Sequence, residues 1–290
     1  MTEQTETLTG PADASVQIKR EGYVATVTLS NPTKRNALSH WVLEAIGAAC
    51  RVCERERMRV MILKATLQHG TWSAGHDIGE LPLDGTDPLA HGSALEAAIA
   101  ALRHAPFPVI AQVQGSVWGG AVETVVSCDI VVADESARFA MTPANIGLPY
   151  NTAGLLHFTD RLGISAIKTM FFTAQPVEAE DALRLGLIDQ LVPSERIEAQ
   201  TRELARHIAG KAPLAIAAVK EQLRVLSDMR ALPASALGRI SEIRRRAYQS
   251  PDFREGIEAF REKRPAVFGG GEGEAQTVGT VQLTQALRVD

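Results

Sequence analysis

Two short segments of the chain carry the residue types from which an oxyanion-binding site can be built. They are Ser73-Ala74-Gly75-His76-Asp77 and Gly115-Ser116-Val117-Trp118-Gly119-Gly120. Each follows an apolar, β-branched run, Val60-Met61-Ile62-Leu63 before the first and Val109-Ile110-Ala111-Gln112-Val113 before the second. Such runs read as buried strands, and the small residues after them let the chain turn while leaving backbone N–H groups unpaired. Two N–H groups converging on one point can hold the oxygen of a carbonyl as it becomes an enolate. That chemistry needs neither a metal nor an organic cofactor, and none is expected. Glu123 stands just after the second turn, and Thr142 and Tyr150 are polar residues in the segment that follows.

Other motifs carry less. Cys50-Arg51-Val52-Cys53 has the C-x-x-C spacing but falls inside a helical pattern, with no second pair at zinc spacing. Thr71-Trp72-Ser73-Ala74-Gly75 approaches a hydrolase nucleophile elbow, yet Thr71 stands where the first glycine belongs. His76-Asp77 has no third metal ligand at useful spacing. The glycines at 269, 270, 271 and 273 follow no strand, which argues against a nucleotide loop. Arg244-Arg245-Arg246 reads as a solvated or inter-subunit face of a late helix.

The elements that must position these residues are legible in outline. The 290 residues allow one large domain or two ordinary ones, with 45% hydrophobic and 22% charged residues. A net charge of −4 argues against nucleic acid or an anionic membrane as partner. No apolar run approaches the roughly 20 residues of a membrane helix. Three cysteines give no disulfide framework, and residues 1–6 lack a signal or transit pattern, so a cytoplasmic location is expected. Residues 1–14 are expected to form a disordered leader. A hairpin is predicted over 16–18 and 24–29, broken at Asn31-Pro32-Thr33-Lys34, and Ser39 caps a helix over about 40–55. Strand, turn and helix alternate to about residue 140, the pattern of an α/β core with crossover connections. A helix from Val177 ends near Gly186, and a short apolar segment then runs from Leu187 to Val192. Residues 196–262 read as three or four amphipathic helices broken near Pro213, Pro233 and Pro251, with a flexible tail over 269–290.

Taken in order, Asn36-Ala37-Leu38-Ser39, Ser73-Ala74-Gly75-His76-Asp77-Ile78 and Gly119-Gly120-Ala121-Val122-Glu123 resemble the crotonase (enoyl-CoA hydratase/isomerase) superfamily, over about residues 15–268. The resemblance implies an α/β fold: a crotonase-like spiral of ββα repeats over 15–205 and a helical C-terminal region over 206–268. That region would pack trimers, often paired into hexamers. It also implies an acyl-CoA ligand, and an oxyanion hole from the N–H groups of His76 and Gly120. Ala74, Gly75, His76, Asp77 and Ile78 would lie along the CoA, and Lys34 and Lys263 would meet its phosphates.

Hydratases of that superfamily hold a water between two carboxylates. Glu123 occupies the first position, but the second falls at Ala144, whose methyl group can neither orient water nor move a proton. Hydration is therefore disfavoured. The string Met141-Thr142-Pro143-Ala144-Asn145-Ile146-Gly147-Leu148-Pro149-Tyr150-Asn151, with Lys211-Ala212-Pro213-Leu214-Ala215-Ile216, is similar to the decarboxylase branch acting on methylmalonyl thioesters. This implies loss of CO2 through an enolate, with Tyr150 and Thr142 orienting the substrate. Glu123 is then either close to the reaction or only a buried, hydrogen-bonded partner. A hydratase or isomerase, and a non-catalytic acyl-CoA- or RNA-binding member, are the alternative readings.

Overall fold

The computed structural model describes residues 4–67, 69–229 and 234–269. Three strands open the chain, β1 (Gln4–Thr9), β2 (Ser15–Glu21) and β3 (Val24–Ser30), paired antiparallel in that order. Helix α1 (His40–Arg55) follows, capped by the Ser39 side chain, which accepts from the Val42 N–H. Its buried face carries Leu43, Ile46, Cys50 and Cys53, at the three-to-four spacing of an amphipathic helix.

The chain then repeats one unit. Strands β4 (Val60–Ala65) and β5 (Thr71–Ser73) lead to α2 (Ala94–His104); β6 (Val109–Val113) and β7 (Ser116–Trp118) lead to α3 (Gly120–Val126). A third pair, β8 (Ile130–Asp134) and β9 (Arg138–Ala140), follows. In each pair the first strand joins a seven-stranded sheet and the second joins a four-stranded one. Neighbours β4, β6 and β8 are parallel, as are β5, β7 and β9. The spiral of ββα repeats is thus present. Strand β6 is buried at every position, as expected of a parallel strand covered on both faces.

Next come α4 (Thr152–Thr159), α5 (Ile164–Thr173), β10 (Val177–Glu178), α6 (Ala179–Leu185) and β11 (Gln190–Val192). Four helices end the described chain: α7 (Ile197–Ala209), α8 (Pro213–Asp228), α9 (Ala234–Tyr248) and α10 (Pro251–Glu262). Ile197, Ala205 and Ala209 of α7 pack on Val60, Ile62, Ile110 and Val132 of the large sheet, so the core extends past the expected boundary at residue 205. Helix α8 has no buried residue.

The disordered leader is corrected. Residues 4–9 form an edge strand whose register runs from Gln4 opposite Arg20 to Thr9 opposite Ser15. The composition is polar, but Thr5, Thr7 and Thr9 are β-branched, and Arg20 holds Glu6 at 2.6 Å and also pairs with Glu56. Leu8 packs against the core. Of the expected tail, residues 270–290 lie outside the described residues, and so does Pro233.

The three cysteines are buried and unpaired, and burial pushes each thiol up to about 12. They should stay protonated and shielded at pH 8. Titration with a disulfide reagent should find all three thiols only after guanidinium unfolding; rapid reaction of the native chain would contradict this packing.

Candidate active site

Strand β5 delivers the first turn, and a strap holds it. The Ser73 hydroxyl donates to Asn36 O at 2.6 Å and accepts from the Gly75 N–H at 3.2 Å. The Asn36 amide donates to Thr66 O and Trp72 O. Leu38 and His76 then form one parallel bridge: Leu38 N donates to Gly75 O at 2.7 Å and Asp77 N to Leu38 O at 3.2 Å. Parallel pairing uses the groups on either side of His76, so the His76 N–H points away from the strap.

The second turn ends β7. Gly119 has φ +52°, its N–H donates to Ala140 O at 2.9 Å, and α3 starts at Gly120. The first N–H groups of a helix have no acceptor within it. The two turns touch: a Cβ on Gly75, where φ is +86°, would lie 2.5 Å from the Trp118 carbonyl oxygen. A Cβ on Gly120 would lie 3.9 Å from His76 N. Among the described residues, neither the His76 nor the Gly120 N–H has a backbone acceptor.

Both turns line one narrow cavity of about 60 Å³. Ile78, Leu81, Leu89, Leu95, Thr142, Pro143, Ile146, Leu148 and Tyr150 complete the lining. The polar side chains in the lining are His76, Thr142 and Tyr150; no carboxylate is among them. Ala144 is exposed and outside the lining. Burial pushes the His76 imidazole below its ordinary value, and its Nδ1 is buried without a partner. A wider, more open cleft around Arg103, Arg161 and Lys220 holds charges already paired to Asp160, Asp189 and Asp129.

Glu123, one turn into α3 and 3% exposed, lies behind the cavity wall. The Tyr150 hydroxyl donates to its Oε2, and His157 Nδ1 lies 2.9 Å from its Oε1. Gly154 makes room, since a Cβ there would sit 2.6 Å from Tyr150 Cε1 and 3.0 Å from Glu123 Oε1. The tyrosine ring stands edge-on to Phe171, at 5.3 Å between centroids. Burial, and then the Glu123 charge, hold the phenol well above its usual range, so it stays protonated.

The remaining expected residues are more dispersed. Lys34 Nζ meets Asp77 Oδ2 at 2.5 Å, which raises the lysine, while Asp77 Oδ1 caps the turn at Gly79. Ala74 is exposed and lines the cavity, as do Gly75 and Ile78; Lys34, Asp77 and Lys263 do not. Lys263 ends α10 in a left-handed conformation and is exposed.

Sequence reasoning missed His157, the Leu81–Leu89–Leu95 wall and the closing arm. Arg244, expected on a solvated or inter-subunit face, instead reaches Asp87 at 2.7 Å. Tyr248 donates to Pro149 O at 2.9 Å, and Phe253 and Ile257 pack with Leu81. Helices α9 and α10 therefore close over the cavity walls of their own chain. A helical pattern could not reveal this, because the arginine's partner is 157 residues away.

The family model for enoyl-CoA hydratase/isomerase matches residues 19–271. The methylmalonyl-CoA decarboxylase of Escherichia coli K12 is 40% identical over 247 residues, covering 85% of this chain and 95% of that protein. Two solved structures of methylmalonyl-CoA decarboxylase, one with 2-nitronate-propionyl-CoA and one with 2S-carboxypropyl-CoA, superpose with TM-scores of 0.86. Each is 39% identical, with 88% of this chain and 98% of that chain covered. The paired turns, the two interleaved sheets and these matches over most of the chain make this protein a member of the crotonase (enoyl-CoA hydratase/isomerase) family.

Proposed function

We propose that the chain is a carbon–carbon lyase that decarboxylates methylmalonyl-CoA to propionyl-CoA and CO2 without a cofactor. The observation that carries this reading is the cavity itself. Two unpaired backbone N–H groups flank it, and its lining holds no carboxylate that could activate water. The likeness to methylmalonyl-CoA decarboxylase supports the choice of substrate.

The chemistry follows from the thioester. When the bond between Cα and the carboxylate breaks, its electrons pass into the thioester carbonyl, giving an enolate and CO2. The N–H groups of His76 and Gly120 meet the enolate oxygen, and one such donor is worth about 3–4 kcal/mol of barrier. Thr142 donates to the carboxylate and the Tyr150 phenol, its proton spent on Glu123, sets the acyl group beside it, so that the carboxylate stands out of the thioester plane, where the breaking bond overlaps the carbonyl π system. Leu89, Leu95 and Ile146 deny that carboxylate water, which favours its loss as neutral CO2. The enolate carbon then takes one proton. Because the thioester is the electron sink, the bond breaks without a metal, biotin or a general base.

Ala74, Gly75, Asp77 and Ile78 run along the CoA in this reading, with Lys34 and Lys263 at its phosphates. Helix α8 presents Leu214, Val219, Leu223 and Leu226 to solvent, an apolar face suited to homotrimer packing, with trimers able to pair into hexamers. Three unpaired thiols suit a reducing, cytoplasmic setting.

Incubation with methylmalonyl-CoA, malonyl-CoA, ethylmalonyl-CoA and crotonyl-CoA tests the proposal. Propionyl-CoA and CO2 are expected from the first; 3-hydroxybutyryl-CoA alone, from the last, would defeat the decarboxylase reading. Gly75→Ala must move the two turns apart and should lower kcat/KM by about 100-fold or more; near-normal turnover would remove the oxyanion hole from the mechanism. Tyr150→Phe should lower kcat by about tenfold or more, while sedimentation still gives trimers.

A further inference from the structure

The Glu123 carboxylate is almost fully buried, and the side chains that meet it are Tyr150 on one oxygen and His157 on the other. An ionised carboxylate only accepts hydrogen bonds, so His157 must carry a hydrogen on Nδ1 and the phenol must turn its single proton toward Glu123. Tyr150, which lines the cavity, is thus tethered by a residue that does not itself line it.

His157 is well placed to hold this arrangement. It lies on α4, whose start is pinned by Asn151: the side chain accepts from Gly154 N at 2.7 Å and donates to Leu89 O at 3.0 Å. Leu89 also lines the cavity. The helix carrying His157 is therefore tied both to the lining and, through Glu123, to the phenol. Without the His157 N–H, Glu123 Oε1 has lost a hydrogen bond in a buried place, and the carboxylate must swing toward another donor. That movement frees the Tyr150 hydroxyl to turn.

We propose that His157 is a positioning residue: it clamps Glu123 and, through it, fixes the direction of the Tyr150 phenol against the acyl group. This rests on the reading of Tyr150 as a substrate-orienting residue.

The 290-residue chain gives the test. His157→Leu should lower kcat for CO2 release from methylmalonyl-CoA by about tenfold, with KM changed less than about threefold. His157→Asn puts an amide N–H where Nδ1 stands and should recover kcat to within about threefold of the parent. In the Tyr150→Phe background, His157→Leu should cost nothing further, because both changes act through the same hydroxyl. If His157→Leu does not fold, His157→Gln, whose amide projects past the Nδ1 position, takes its place. Independently of turnover, the chain holds only three tyrosines. Carbon-13 labelling of the phenol carbon, with Tyr150→Phe for assignment, should show the Tyr150 signal moving in His157→Leu and returning in His157→Asn.

An unmoved signal, an unchanged kcat in His157→Leu, an Asn variant as impaired as the Leu variant, or additive losses in the double variant would overturn the proposal. If the parent enzyme releases no CO2, the decarboxylase reading fails, and the labelled phenol still decides the role of His157.

Discussion

The structure turns on how closely two backbone turns approach one another. Gly75 lies against the Trp118 carbonyl with no room for a side chain, and its φ of +86° is one that other residues adopt only under strain. Everything around this contact keeps it in place. The strap at Asn36 and Leu38 fixes the first turn from outside, while the Gly119 bond to Ala140 ties the second to the neighbouring strand. Because β5 and β7 are parallel neighbours in one sheet, the turns at their ends emerge side by side. The spiral thus does for the site what a single loop cannot: it repeats one geometry and sets two copies of it next to each other.

Behind the turns the charge distribution is equally constrained. The cavity has apolar walls and keeps the buried Glu123 out of the lining, with a partner on each carboxylate oxygen. A buried carboxylate needs such partners, because an unpaired charge in a low-dielectric interior is costly. The lysines are treated differently. Lys34 is half-exposed and reaches from the surface to pair with the buried Asp77.

Much of this was legible in the chain and some was not, for physical reasons. Ser39 capping α1, the proline starts of α8 and α10, and the buried runs of β4 and β6 are local signals. They depend on neighbours a few residues away, and they are where the elements lie. The two turns were visible because small residues after an apolar run have few other uses. The edge strand β1 was not visible, because a polar strand is held by its partner rather than by its own composition. The role of Glu123 stayed open for a similar reason: its second partner, His157, sits 34 residues further on, on a helix whose sequence says nothing of what it faces. Lys34 and Lys263 carry the right charge, but only tertiary structure tells whether that charge is free.

The arm formed by α9 and α10 has a consequence in time as well as space. Gly256 sits against the Ile146 backbone, where a Cβ would come within 2.4 Å, and Ile257 packs with Leu81. The spiral needs nothing beyond α7 to bury its sheets, so it can assemble while the ribosome is still making the rest. The cavity lining, all of it between Ala74 and Tyr150, emerges with the spiral. The packing of Tyr248, Phe253 and Ile257 behind it comes only once the final described helix has emerged and folded back, which makes that backing the last step in the maturation of each chain.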